Sequence, residues 1–210
     1  MAEIVPPYPV NLAIDYPERL DRLTTFLRIF TVIPIAIVLA LLSGGGDGGG
    51  GREGLRIEAG AGGLVVLPVV LMLLFRQKYP RWWFDWNLAL TRFGARVAAY
   101  LGLLRDEYPS TDEEQAVHID IRYPDARTEL NRWLPLVKWL LAIPHYIVLF
   151  FLGIAVLVVT IIAWFAILFT GRYPRSLFDF VVAVLRWEIR VGAYAFLLTT
   201  DRYPPFSLSA

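Results

Sequence analysis

The run KWLLAIPHYIVLFFLGIAVLVVTIIAWFAILFTGR, Lys138–Arg172, decides the class of this chain. Its basic ends enclose 33 residues without a formal charge, and His145 is the only histidine among them. A helix needs about 17–25 mostly apolar residues to cross a hydrocarbon core about 30 Å thick. As one helix this run would be about 50 Å long at 1.5 Å per residue, too long for one perpendicular crossing. We expect a hairpin, Asn131–Leu152 and Ile154–Thr170, turning near Gly153; one long tilted or broken helix is the alternative. Two more uncharged runs come earlier, between Arg28 and Asp47 and from Ala59 to Phe75. The first gives a span over Leu23–Leu42, with Arg28 snorkelling from its end. Pro34 and Pro68 lie inside these runs, where membrane helices tolerate kinks if neighbours satisfy the freed carbonyl.

The composition agrees with a chain built for lipid. It is 57% hydrophobic and 19% charged, against about 45–50% and 25% in an ordinary soluble domain. Disorder is excluded by this balance, and a soluble enzyme core is disfavoured. The absence of cysteine removes disulfides, thiolate nucleophiles and Cys-ligated metals. Two histidines, His118 and His145, are too few for a metal cage, so no metal and no cofactor is expected. A net charge of +1 gives no reason to expect nucleic acid as a partner. With the Gly-rich loop and the Gly153 turn outside, eighteen of the twenty basic residues fall inside. That asymmetry predicts a multi-pass protein of the inner membrane with both termini in the cytoplasm.

Several blocks occur twice, in the same order. VNLAIDYP (Val10–Pro17) matches VHIDIRYP (Val117–Pro124), and LRIFTVIP (Leu27–Pro34) matches VKWLLAIP (Val137–Pro144). YPRWWFDW (Tyr79–Trp86) matches YPRSLFDF (Tyr173–Phe180), and TRFGARVAAY (Thr91–Tyr100) matches LRWEIRVGAY (Leu185–Tyr194). DEYP (Asp106–Pro109) matches DRYP (Asp201–Pro204). We read a tandem duplication, repeat 1 over 1–109 and repeat 2 over 116–210, joined by an acidic linker over 110–115. The first copy is longer by GGGDGGGGREGLRIEAG, which lacks the GK[ST] ending of a phosphate-binding loop and reads as an external linker. Two spans in each copy give parallel repeats about an axis along the membrane normal, not the inverted repeats of many transporters. The expected fold is mainly α. Each repeat has a transmembrane hairpin, an interfacial amphipathic helix (Arg81–Leu104, Arg175–Phe196) and a short cytoplasmic strand. The strands (Val10, Leu12, Ile14; Val117, Ile119, Ile121) are expected to pair with the closing Asp-x-Tyr-Pro segments.

Polar residues recur in two matched stripes. Asp85, Arg92, Arg96 and Tyr100 are spaced 7, 4 and 4 apart, as are Asp179, Arg186, Arg190 and Tyr194. Offsets of 4 and 7 share one helix face. Trp82, Trp83, Trp86 and Trp187 on the same helices suit the headgroup level. Two readings stay open: the stripe grips lipid phosphates or a partner's carboxylates, or it ties the helix to a strand or to the neighbouring copy. Seven Tyr-Pro dipeptides punctuate element boundaries. His145, whose match in the first copy is Ile35, reads as a neutral, hydrogen-bonded histidine near the inner headgroups, the alternative being a proton relay or a ligand to a pigment or haem. Ser110 is placed to cap a turn through Glu113.

The twice-carried block YPR…FD…R…RV.AY…D.YP resembles a bacterial integral-membrane family known only as a domain of unknown function. The resemblance covers nearly the whole chain except the Gly-rich loop, and it implies a small membrane protein with no activity to transfer. Without a nucleophile–base set or paired intramembrane carboxylates, no enzyme is expected. The expected function is a membrane accessory or scaffold that organises lipid headgroups, packs into a larger membrane complex, or forms a homo-oligomer. The alternative is a transporter or channel-like module with a path between the repeats or between protomers.

Overall fold

The computed structural model describes residues 8–42, 61–111 and 113–209. The Gly-rich loop, read above as an external linker, and Asp112 of the acidic linker lie outside the described residues.

Two strands form one small sheet. In β1, Val10–Ile14, and β2, Val117–Ile121, alternate residues are buried and exposed, as the Val/Leu/Ile spacing requires. They run antiparallel, pairing Val10 with Ile121, Leu12 with Ile119 and Ile14 with Val117. This corrects the expected pairing of each strand with its own Asp-x-Tyr-Pro segment. Those segments form no strand, because each contains a proline that supplies no N–H to a ladder.

Five α-helices longer than one turn fill the rest of the described chain. Helix α1 covers Arg22–Leu42, α2 Ala61–Arg76 and α3 Arg81–Leu101. After β2 comes a single 3₁₀ turn, Leu134–Leu136, and a one-turn α4, Lys138–Leu141. Helices α5, Ile143–Thr170, and α6, Arg175–Ala195, complete the order. Both α3 and α6 begin directly after a Tyr-Pro, with Pro80 and Pro174 in extended geometry. A fixed φ and a missing N–H cost nothing at that position. Left-handed residues follow α2, α3 and α5: Gln77 (φ 45°), Leu103 (φ 61°) and Gly171 (φ 70°).

The hairpin expected at Gly153 does not form. Helix α5 runs unbroken through Gly153, about 42 Å at 1.5 Å per residue. Leu152 and Ile154 flank the glycine, so a turn there would strand backbone N–H and C=O groups among apolar side chains. One glycine in a helix costs only about 1 kcal/mol. The chain bends earlier instead, and Pro144 occupies the first turn of α5, where no N–H is needed. The count of four spans goes with the hairpin. Among the described residues, α5 is the one helix long and apolar enough to cross a membrane, and Val66–Arg76 is apolar but shorter.

The elements stack in layers. Strand β1 packs on α6 and β2 on α3, while α5 packs on α6 and α1 on α3. Both ends of α5 lie against this assembly. At its start, Ala142 and Tyr146 pack with Trp187, Val191 and Tyr194 near the end of α6. At its end, Arg22 donates to the Phe169 carbonyl (3.2 Å) and the Leu20 N–H to Gly171 (3.0 Å). Helix α5 therefore lies lengthwise along α6. The main core draws on residues across the chain, among them Leu12, Leu73, Leu104, Ile119, Ile167 and Phe178.

Candidate functional site

The arginine stripes point at strands. Arg92 on α3 donates through Nε (3.3 Å) and Nη2 (3.2 Å) to the Ile119 carbonyl of β2. Arg186 on α6 donates through Nε to the Leu12 carbonyl of β1 (3.0 Å). One turn on, Arg96 donates to the Ser110 carbonyl (2.7 Å), and the buried Arg190 to those of Ser209 (2.8 Å) and Ser207 (3.4 Å). A guanidinium is the side chain suited to holding several carbonyls at once. Asp85 and Asp179 are exposed; Asp179 meets Arg175 at 3.2 Å, one turn before it. Tyr100 and Tyr194, at the far end of the stripes, are buried.

Each of these tyrosines belongs to a cluster that the sequence reading did not assemble. Arg28, 4% exposed, donates to Asp106 (2.5 Å) and to the Tyr100 carbonyl (3.0 Å), with its Cζ 4.4 Å from the centre of the Tyr100 ring. Lys138, 0% exposed, meets Asp201 (2.7 Å) and the Thr200 carbonyl (2.8 Å), with Nζ 5.2 Å from the centre of the Tyr194 ring. Burial pulls the Lys138 ammonium below its ordinary pKa, and Asp201 pulls it part of the way back. The second oxygen of each carboxylate takes a backbone N–H: Asp21 on Asp106 (2.7 Å) and Asn131 on Asp201 (2.5 Å). The signal was present in the matched blocks, which align Arg28 with Lys138 and Asp106 with Asp201.

The comparisons bear on the second of these clusters. Residues 133–207 match the model of a family described as a domain of unknown function, DUF4389. Comparison with curated proteins gives no match, and comparison with solved structures gives none. The DUF4389 stretch includes α5, α6, Lys138 and Asp201, together with an aromatic cluster around His145. His145 is fully buried and accepts a hydrogen bond at Nδ1 from Trp187 Nε1 (3.1 Å). Its ring stacks on Phe206 (3.9 Å, 15°), with Tyr203 at 4.8 Å. Trp187 is thus inside the protein, whereas Trp82 (68%) and Trp86 (46%) are exposed and Trp83 is half-buried. His118 is exposed on β2, 3.4 Å from Asp15. Among the described residues no group of His, Asp or Glu is arranged to hold a metal ion. Ser110 Oγ accepts from the Glu113 N–H (3.2 Å).

The outward face of the apolar helices is the other large feature. Along α5, Ile147, Phe150, Ile154, Val158, Phe165 and Phe169 are exposed, at spacings of 3, 4 and 7 that define one side. Phe26, Phe30 and Ile33 of α1 and Leu67, Leu71 and Phe75 of α2 are exposed in the same way. Single exposed apolar residues are ordinary, but a stripe of aromatic and branched side chains about 33 Å long is not.

Proposed function

We propose that this protein is a non-enzymatic membrane accessory or scaffold. In this reading its apolar helices lie in the inner membrane, and its sheet, both chain ends and most of its charge face the cytoplasm. The observation that carries the reading is the uncovered stripe of α5, bracketed by the basic residues Lys138 and Arg172. Lipid tails are the solvent such a face tolerates, and basic ends sit well among headgroups. Because both ends of α5 touch the same layer, the helix is read as lying lengthwise in one leaflet. The shared side of the chain ends is supported by the Tyr8 hydroxyl, which donates to the Arg202 carbonyl (3.1 Å), and by the grip of Arg190 on Ser209. A layer of this shape suits organising lipid headgroups or packing as a subunit of a larger complex or homo-oligomer.

The reading includes two copies of one unit, related by an approximate two-fold axis along the membrane normal. Its support is a set of contacts that recur at matched positions. Arg92 and Arg186 each hold the strand of the other copy. The Tyr16 hydroxyl donates to the Tyr173 carbonyl and the Tyr123 hydroxyl to the Tyr79 carbonyl, both at 2.5 Å. Tyr16 meets Phe178 edge-on at 5.0 Å, as Tyr123 meets Phe84 at 5.1 Å.

The chain has no cysteine, so a single one can be placed and labelled cleanly. Labels at Ile147→Cys, Val158→Cys and Phe169→Cys sit eleven residues apart on one face of α5. Quenching by nitroxides at graded acyl positions is expected to put all three at a common depth. Opposite depths for the first and last would replace the lengthwise reading with a crossing helix. Exposure of all three to aqueous quencher would overturn the membrane reading.

A further inference from the structure

We propose that the corner where α2 hands on to α3 is a headgroup site for an anionic phospholipid. The inference rests on the bilayer reading and names the lipid class which that reading leaves open. A cavity of about 470 Å³ lies at this corner. Lys78, Arg81, Trp82 and Trp83 line it together with Val69 and Met72 of α2. Both cations are exposed, and among the described residues neither has a carboxylate within 4.0 Å. Arg81 instead lies 5.1 Å from the centre of the Tyr123 ring.

The matched corner of the second copy makes the contrast. There Arg175 is neutralised by Asp179 at 3.2 Å, and Ser176 and Leu177 stand where the first copy has Trp82 and Trp83. Among the described residues the second corner thus keeps one exposed cation of its own without a carboxylate, Arg172, while the first presents two, beside three tryptophans in a row, Trp82 with Trp83 at 5.0 Å and Trp83 with Trp86 at 5.4 Å. The indole N–H of Trp83 is buried without an acceptor. Helix α3 starts at the corner with no side-chain cap, so its first-turn N–H groups add to the positive potential.

Charge complementarity selects an anion, and the geometry selects a lipid. A lysine point charge and an arginine fork together suit a phosphodiester. The apolar wall of Val69 and Met72 continues into the exposed side chains of Leu71 and Phe75, a path for an acyl chain. Tryptophans at the rim hold the headgroup level. A free phosphate would leave the apolar wall unused.

The test is flotation of the full chain with two kinds of vesicle: phosphatidylcholine alone, and phosphatidylcholine with phosphatidylglycerol. The double variant Lys78→Gln/Arg81→Gln is expected to bind neutral vesicles as the parent does and to lose roughly tenfold or more in preference for anionic ones. Arg19→Gln/Arg172→Gln removes two exposed cations at the other corner and is expected to lose clearly less. Equal losses would reduce the effect to overall surface charge and overturn the site, as would an unchanged preference in Lys78→Gln/Arg81→Gln. Release from anionic vesicles by inorganic phosphate at constant ionic strength would overturn the lipid as its occupant. Failure of the parent chain to bind neutral vesicles is a separate outcome, counting against the bilayer reading itself.

Discussion

Asp106 and Asp201 each hold a buried cation with one oxygen and a backbone N–H with the other. A cation taken out of water is tolerated only while its counter-charge stays in place. Removing one member of a buried pair commonly costs about 3–5 kcal/mol. Both carboxylates here are about a quarter exposed, which places the expectation at the low end, about 3 kcal/mol. Asp201→Asn is expected to destabilise more than Asp106→Asn, because Lys138 is fully buried and Arg28 keeps a sliver of exposure. Adding Lys138→Met to Asp201→Asn should recover part of the loss, since the unpaired charge goes with it. Unfolding in mild detergent, followed by tryptophan fluorescence, reads these three variants and Lys138→Met alone. A double variant as unstable as the two single losses summed would mean the pair is not acting as a pair.

Helices α5 and α6 meet at Gly171, and the contrast with Gly153 decides how that apolar run folds. Gly171 has φ 70°, where a side chain is strained, and Gly153 sits inside the helix with nothing within 4 Å of an added Cβ. Gly153→Ala is therefore expected to stabilise by about 0.5–1 kcal/mol. Gly171→Ala should destabilise by about 1 kcal/mol or more. Opposite signs in detergent unfolding would put the bend at 153 after all. The same comparison explains what is legible in the sequence. The strands and the helices after Tyr-Pro are readable because period-2 and period-3.6 patterns alternate polar with apolar residues, and α3 and α6 begin where expected. The run after Lys138 is apolar on every side, so no periodicity marks where it turns. The polar stripe is legible in its spacing, whereas its carbonyl partners on the strands are not, because a backbone oxygen has no residue type. The clusters around Arg28 and Lys138 need two blocks far apart in the chain, which only the fold brings together.

At the scale of the molecule, the two parts of the chain are interlocked rather than side by side. Strand β1 pairs with β2 and packs on α6, while β2 packs on α3. Each strand thus lies on the amphipathic helix from the other side of the linker, fastened by Arg92 or Arg186 and by the tyrosine hydroxyls at the strand ends. The described linker residues, 110–111 and 113–115, are polar and lie at the surface, and the bonds of Glu113 and Gln115 there are local. If the interlock and not the covalent link holds the parts together, cutting the linker in the folded protein should release nothing. A protease site placed within Ser110–Gln115 and cleaved in mild detergent is expected to leave both pieces eluting together at one to one. A hydrogen bond from a charged donor contributes about 1.5–3 kcal/mol, so Arg92→Gln with Arg186→Gln should make the cut pair separate at clearly lower denaturant. Pieces that part as soon as the linker is cut would mean that the sheet and its two arginines contribute little to the assembly, and that the apolar helices alone set it.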